Sequence, residues 1–407
     1  MNGRLFLISG LLSILLLFSI EVLSQDSLAK PKPKLIKEVS GNFRGDYRYF
    51  PDKALYPDQQ EQYFSMVFQP EIYLEWNKGK QILKYTGFAR IDQYDNRSTH
   101  ADVRELYFQF VLKKWELSFG AKNLYWGVTE SNHLVDIINQ GDALEGFGLN
   151  AKLGQPMIHF SWSPKWGTID LIAMTYFREM RFPGKHGRLR PPFDIDYSNT
   201  TYESDMEEYN PDLAIRWSHA LGPFDLGLSH FYGTSRLPIF TTSDGQTFSP
   251  HYELINQTGF DVQAATGPML WKGEIIRRES KRKLILALVV GGEFTFSNVL
   301  RKGIDIGIIA EYNYDDRGLE SINALDDDFF FGMRFAFNDR QSTDMIGGLI
   351  VDRNNGTLRY FAKASRRIGN SWKFSLEASR LDNINDQEFL YLIRNDSFVQ
   401  ISLAKFF

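Results

Sequence analysis

The strongest constraint on the fold is a strict alternation of apolar and polar side chains in residues 63–76. This segment reads YFSMVFQPEIYLEW, and every even position from Phe64 to Trp76 is apolar, whereas most odd positions are polar. Because successive side chains of a β-strand point to opposite faces, the pattern predicts a strand with one apolar face. Pro70 lies inside it and cannot donate a hydrogen bond to a neighbour, so we expect a bulge or local distortion there.

The same alternation recurs along the chain. Residues 83–91, 304–314, 329–337 and 372–378 place apolar side chains on one face and mostly charged or small residues on the other. Many such segments are about 10–14 residues long, whereas a strand of a soluble protein has about 5–6 and a tilted membrane-crossing strand needs about 9–11. The length therefore favours a membrane crossing. Aromatic residues that suit a membrane interface gather at segment ends: Trp76, Trp115, Trp217, Trp271 and Trp372.

The connections between these segments alternate between short and long. Tight turns such as residues 77–80 and 368–371 are followed by longer connections such as 178–208 and 233–250. This asymmetry is typical of a transmembrane barrel. The sequence therefore predicts an all-β fold, a transmembrane antiparallel up-and-down β-barrel of about 18 strands, with 16 also compatible. The least certain strands lie near residues 156–163 and 269–278.

The N-terminus predicts export. Arg4 precedes an apolar run that ends at Ile20, and small residues precede Gln25, as in a cleaved signal peptide. An anchor helix is the alternative. We expect a signal peptide at 1–24, a short periplasmic segment at 25–40 and an outer-membrane barrel at 41–407. The chain has no cysteine, which excludes disulfides, thiol catalysis and cysteine-ligated metals.

Several stretches resemble porin-like outer-membrane proteins of Gram-negative bacteria. They are GFDVQAATGPMLWKGEIIRRES, GGEFTFSNV, IAEYNYDDRG and FFFGMRFAFNDRQSTD, together with the earlier RELYFQF and SFGAKNLYWGVTESNHLVDIINQGD. The chain also ends in an alternating segment whose last residue is Phe407. The resemblance covers most of the chain and implies an outer-membrane barrel. It implies neither a substrate nor any site residue, because this group is largely without assigned function.

The face opposite the apolar one would line the interior. The predicted lining residues are Glu71, Glu75, Arg90, Glu105, Lys122, Arg216, Glu274, Glu293, Glu311, Arg334, Arg359, Lys363 and Lys373. Among the residues predicted to face inward, acidic ones predominate in the strands near 269–314 and basic ones in the strands near 329–373. Opposite charges on two arcs of the wall would set a field across a pore. Alternatively, these charges pair across neighbouring strands and stabilise the wall.

Two long connections are candidates for a constriction. The candidate residues are Trp126, His133 and Asp136 in residues 123–142, and Arg178, Arg181, Arg188 and Arg190 in residues 178–208. The first connection would narrow the pore or pack against the wall. The second would fold inward, contact anionic lipopolysaccharide or remain solvated.

Taken together, the sequence predicts a porin-like channel for passive diffusion of small hydrophilic solutes. The alternative is a non-conducting barrel that anchors or exports surface polysaccharide. A rim enzyme is a weaker option, because no catalytic motif is found; we expect no enzyme activity, cofactor or metal site. The expected partners are outer-membrane lipid, lipopolysaccharide and small solutes. A net charge of -4 argues against nucleic acid, and a homo-oligomer is compatible with the sequence.

Overall fold

The computed structural model describes residues 35–146, 151–242, 244–245, 247–299, 301, 303–318 and 325–407. The predicted signal peptide lies outside these residues. Within them, 18 strands form one closed antiparallel sheet. In chain order β1 to β18 they are Ile36–Tyr49, Gln62–Trp76, Gln81–Asp92, His100–Val111, Trp115–Lys122, Gln155–Trp162, Thr168–Met174, Asp212–Leu221, Phe224–Thr234, Leu254–Thr266, Met269–Glu279, Leu284–Val299, Ile304–Asp315, Asp327–Ala336, Asp344–Asp352, Leu358–Ile368, Trp372–Asp382 and Phe398–Phe406.

The barrel closes between its first and last strands. β1 pairs with β2 along its whole length and with β18 from Asn42↔Phe406 to Tyr49↔Val399. Each strand is antiparallel to both neighbours. Because the number of strands is even, the start of β1 and the end of β18 lie at the same rim. The predicted fold class and the count of 18 strands are confirmed. The two strands that are least certain from the sequence, near residues 156–163 and 269–278, are present as β6 and β11.

The outer face carries the apolar half of the alternation. Phe43, Met66 and Ile91 are 52%, 56% and 67% exposed, respectively. Such exposure of large apolar side chains is unfavourable in water but favourable in the hydrocarbon of a bilayer. Trp residues lie at the rim with the short turns, including Trp115, Trp162, Trp271 and Trp372. The wall is therefore built for lipid outside.

Pro70 is accommodated without a bulge in its own strand. The β2–β3 ladder keeps one register on both sides of Pro70 and lacks only the pairs of residues 69–70. Gly87 makes room for the proline ring, since a Cβ there would lie 3.1 Å from Pro70 Cγ. The register shift occurs in the next ladder, β3–β4, where Thr86 pairs with Glu105 and Gly87 with Val103. The expected distortion at Pro70 is thus an interruption of the β2–β3 hydrogen-bond ladder, and the bulge lies in the β3–β4 ladder.

The two rims differ in their connections. Short turns join the strands at the rim where β1 begins and β18 ends, which we call the turn end. The long loops lie at the opposite rim, the loop end. In outer-membrane barrels the longer loops are extracellular. At the loop end four short strands, Asp194–Ile195, Thr201–Tyr202, Ile239–Thr241 and Thr247–Tyr252, form a small second sheet. Within the described residues, no helix is long and apolar enough to cross a membrane.

Candidate functional site

The interior of the barrel contains a long connection that we call the plug loop, residues 123–146. It leaves β5 and crosses the lumen to β11, β13 and β14 before the chain returns to β6. In a closed ring of 18 strands, β13 is nearly opposite β5. The plug loop therefore spans the lumen.

Glu274 on β11 forms the first anchor of the plug loop. Its Oε1 accepts hydrogen bonds from the backbone N–H of Val128 (2.7 Å) and Thr129 (3.1 Å) and from the Thr129 hydroxyl (2.7 Å). Its Oε2 accepts one from the Val135 N–H (3.2 Å), and the residue is 2% exposed. Gly127 permits this approach, because at φ 132° a Cβ would lie 3.0 Å from Glu274 Oε1. One buried carboxylate thus satisfies four donors.

Glu311 on β13 forms the second anchor. It accepts hydrogen bonds from the N–H groups of Glu130 and Ser131, both at 2.8 Å, and from the Ser131 hydroxyl at 2.6 Å. Asn313 donates to the same hydroxyl (2.9 Å), and Arg334 forms an ion pair with Glu130 (2.7 Å). Hydrogen bonds to an ionised carboxylate are among the strong ones in proteins. The acidic arc seen in the sequence therefore holds the plug loop.

The plug loop then packs on an apolar stretch of the inner wall. Trp126, Leu134, Val135, Ile137 and Ile138 form one buried cluster with Met157, Ile172, Met174, Ala214, Phe231, Ile255, Ile276, Ala287 and Val289 of β6 to β12. This cluster fills the loop-end part of one side of the lumen. We call it the apolar half-lumen.

Arg236 secures the far end of the plug loop. Its guanidinium donates to the carbonyls of Ile137 (3.0 Å) and Ile138 (2.9 Å) and pairs with Asp212 (2.8 Å). The residue is 5% exposed. A buried arginine that satisfies two carbonyls and a carboxylate fixes the loop firmly, because removing any partner would leave a buried polar group unpaired.

The other side of the lumen, formed by β14 to β18 and β1 to β4, carries charged side chains that are accessible to solvent; we call it the polar half-lumen. The side chains of Lys363, Glu377 and Arg334 are 43%, 41% and 39% exposed. Many of the charges pair across strands, as do Lys84 and Glu105 (2.6 Å). These pairs favour the interpretation that interior charges stabilise the wall.

A second connection closes the loop end of the polar half-lumen. We call residues 178–191 the cap segment. Arg178 pairs with Asp102 (2.7 Å), and the Gly184 N–H donates to Asp95 (3.0 Å). Arg188 then pairs with Asp396 (2.6 Å) in the loop before β18. The cap segment, which is part of the β7–β8 loop, therefore contacts β4, the loop before β4 and the loop before β18.

The cap segment seals against an apolar cluster. Leu189 packs with Phe50, Tyr63, Leu390, Ile393 and Phe398, all buried. Beneath it lies a polar cavity of about 40 Å³, lined in part by Asp46, Arg48, Arg90 and Gln400. A water needs roughly 10–15 Å³ of such volume, so this space holds only a few waters. The cap segment therefore covers this cavity from the loop end.

The alternation places the predicted lining residues on the inner faces of their strands, but their environments differ. Glu274 and Glu311 bind the plug loop, and Arg216 forms two hydrogen bonds with Asp261 (2.7 and 2.8 Å). Arg90 pairs with Asp46 (2.9 Å), and Lys122 contacts His159 (3.3 Å). Arg334 pairs with Glu130 of the plug loop (2.7 Å). The remainder line the wall: Glu71, Glu75, Glu105, Glu293, Arg359, Lys363 and Lys373.

The predicted constriction residues divide between the two loops. Trp126 is buried in the apolar half-lumen, Asp136 pairs with Lys152 (3.4 Å), and His133 contacts the Tyr125 hydroxyl (2.9 Å). Arg178 and Arg188 anchor the cap segment. Arg181 is half exposed and pairs with Glu179 (2.7 Å), whereas Arg190 is buried among the loops.

Sequence reasoning missed the apolar inner wall and Arg236. The segment LILALVVGG, residues 284–292, is apolar on both faces, which indicates a strand buried on both sides. That signal could have identified the plugged arc. Arg236 carries no such signal, because its role depends on the carbonyls of a loop distant in sequence.

One cluster has metal-ligand geometry. Ligand atoms of His100, Asp142 and Glu145 lie within 4.8 Å of one another. However, Arg104 pairs with Asp142, and Arg90 lies 3.3 Å from Glu145. Two guanidinium groups already neutralise the carboxylates, so the arrangement does not fit a cation site.

Comparison with known proteins supports the fold. No family model and no curated protein matches the chain. Among solved structures, it is similar to Wzi, an outer-membrane protein involved in group 1 capsule assembly in Escherichia coli, with a TM-score of 0.51, 10% identity, and coverage of 89% of this chain and 83% of that one. It also resembles a variant of the Rh. blastica porin, with a TM-score of 0.46, 12% identity, and coverage of 91% and 100%. The likeness to Wzi supports the fold alone: a closed antiparallel barrel like that of an outer-membrane protein.

Proposed function

We propose that the protein is a non-conducting outer-membrane barrel that binds polysaccharide at its extracellular loops. The observation that carries the proposal is the double closure of the lumen. The plug loop is held by buried carboxylates and an apolar cluster, and the cap segment closes the remaining side through Arg188 and Asp396. A barrel built for free diffusion would leave its lumen open to water.

The loop end supports the second part of the proposal. With the lumen closed, the exposed functional surface is the joined loops, which carry charged and aromatic side chains in a small sheet of their own. Wzi, a structure of similar fold, is described as a carbohydrate-binding β-barrel. The likeness to Wzi is one of fold alone. The main support for the proposal is therefore the closure of the lumen by the plug loop and the cap segment.

A diffusion channel is the second candidate, and the solvent-accessible charges of the polar half-lumen favour it. The side chains of Lys363 and Glu377 are 43% and 41% exposed inside the barrel, and the cap segment packs with residues of the loop before β18 at the loop end of the same side. In this alternative the cap segment would open and small hydrophilic solutes would pass along one side.

Planar-bilayer recordings separate the two candidates. The purified protein should give no steady open-channel current under conditions in which a general porin conducts. Cells that lack the protein should shed surface polysaccharide, and re-expression should restore retention. A steady ohmic current with normal polysaccharide retention would contradict the proposal and support the channel.

A further inference from the structure

A groove lies on the outer side of the cap segment, separate from the cavity beneath it. Its volume is about 530 Å³, and its lining includes Asn96, Arg97, Lys185, Arg190, Phe193 and Asp194. Small-molecule sites generally have volumes of about 300–1,000 Å³. The groove is therefore large enough for an oligosaccharide of a few units.

Arg190 is the unusual member of this lining. It is 7% exposed, its Nη1 donates to the Pro191 carbonyl (2.8 Å), and its guanidinium lies 5.3 Å from the Tyr56 ring. Its Nε is buried and has no hydrogen-bond partner among the described residues. A buried charge without a counter-ion is unfavourable, and a guanidinium fork matches a carboxylate. Arg190 is thus prepared to receive an anionic group.

The neighbouring Arg188 makes the contrast clear. Arg188 is fully engaged: it pairs with Asp396 and donates to the Asn395 carbonyl (2.5 Å). Leu189, between the two arginines, has φ 60°, which is uncommon for a residue other than glycine. This turn at Leu189 lets the two arginines on either side of it face different surroundings, Arg188 inside the cap segment and Arg190 at the groove.

The remaining lining suits a sugar that carries an acid. Lys185 is exposed and forms no ion pair with a described residue, so it is available to an anion. Asp95 already accepts hydrogen bonds from Ser98 and from the Gly184 N–H of the cap segment, and Asp196 accepts them from its own loop. Exposed Asp194 is left to accept from sugar hydroxyls. Phe193 offers an aromatic surface to the apolar face of a sugar ring.

We propose that this groove binds an acidic oligosaccharide and that Arg190 and Lys185 hold its carboxylate. The inference rests on the proposed function, since it specifies the chemical class of the polysaccharide bound at the loop end. The carboxylate would complete the hydrogen bonding of Arg190, and the uncharged part of the sugar would lie along Phe193 and Asp194.

Calorimetric titration of the purified full-length barrel in detergent tests this site. The probes are tri-galacturonate, neutral maltotriose and inorganic phosphate. Arg190→Gln and Lys185→Gln should each weaken tri-galacturonate binding, the first by at least about tenfold because a charge-assisted pair is lost. Arg353→Gln removes the same charge at the loop end, where Arg353 pairs with Asp327 (2.9 Å), and should leave binding unchanged.

The outcomes distinguish the site from the proposed function. Equal binding of tri-galacturonate by the native protein and by folded Arg190→Gln would overturn the site, and Lys185→Gln decides if the first variant does not fold. If maltotriose binds as tightly as tri-galacturonate, acid recognition is wrong but carbohydrate binding stands. If phosphate binds as tightly, the groove is a simple anion site. If no saccharide binds and surface retention is also independent of the protein, both proposals fail.

Discussion

The two halves of the lumen show how one alternating pattern produces two different interiors. In the apolar half-lumen, inward side chains such as Phe231 and Ile276 are buried beneath the plug loop. In the polar half-lumen, Lys363 and Glu377 remain accessible to water. Both halves have the same outward pattern, because lipid sets that face. The inward face instead differs with what it contacts: it is apolar where the plug loop packs on it and charged where the lumen is accessible to solvent.

The largest expected effect comes from removing both anchors of the plug loop. Glu274→Ala with Glu311→Ala would leave buried N–H and hydroxyl donors without an acceptor, each at a cost of about 1–3 kcal/mol. We expect the plug loop to detach and the variant to conduct ions in planar bilayers. Glu279→Ala on the same strand is the control, since Glu279 is exposed and pairs with Arg277 (3.1 Å). Unchanged conductance and unchanged protease resistance of the plug loop would contradict this role.

A matched pair of alanine substitutions tests the difference between the halves directly. Ile138 is 0% exposed, so Ile138→Ala should destabilise plug-loop docking by about 2–4 kcal/mol through the cavity it creates. Lys363→Ala removes half of a solvated ion pair and should change stability by less than about 0.5 kcal/mol. Urea titration followed by tryptophan fluorescence, to which Trp126 contributes, measures both. Equal effects would mean that the halves do not differ in packing.

The smallest effect concerns pH at the loop end. Although burial raises it, hydrogen bonds from Lys281 and from the Leu254 N–H lower the pKa of Glu203 below its ordinary value of 4.5. A carboxylate with a lowered folded-state pKa stabilises the fold above its unfolded pKa and loses that contribution as the pH falls through the folded value. The tie between the loop sheet and Lys281 (2.8 Å) should therefore weaken only below about pH 4.5.

Spin-label mobility can follow this loosening. Because the chain has no cysteine, Asp205→Cys gives a single labelling position on the exposed loop. The label should become more mobile as the pH falls from about 4.5 to about 3, and the change should be small because a surface ion pair contributes little to stability. The same label in a Glu203→Gln background should lack this transition. A pH response in both would assign the loosening to other groups.

The sequence predicted the barrel well because outward residues obey one simple rule. Alternation, segment length and the rims of Trp residues all follow from contact with lipid, a solvent that is the same around the whole wall. Pro70 shows the limit of local reasoning. Its effect depended on Gly87 in the next strand, which could accept the proline ring without a register shift.

The interior was predicted only in part, because its partners are distant in sequence. Parity placed Glu274 and Glu311 inside, but nothing local shows that their ligands are N–H groups of residues 128–135. For the same reason the sequence did not predict that the basic residues of the cap segment have different partners. Arg188 found Asp396, whereas Arg190 found no carboxylate among the described residues.

The anchoring of the plug loop has a consequence for how this chain can change over evolution. Glu274 and Glu311 bind mainly backbone N–H groups, which every residue except proline possesses. Side chains on the plug loop can therefore change without loss of these hydrogen bonds, provided that Gly127 is kept for its close approach to Glu274. The two wall carboxylates cannot be replaced in the same way. We expect relatives to retain acids at these wall positions even where their plug loops no longer align.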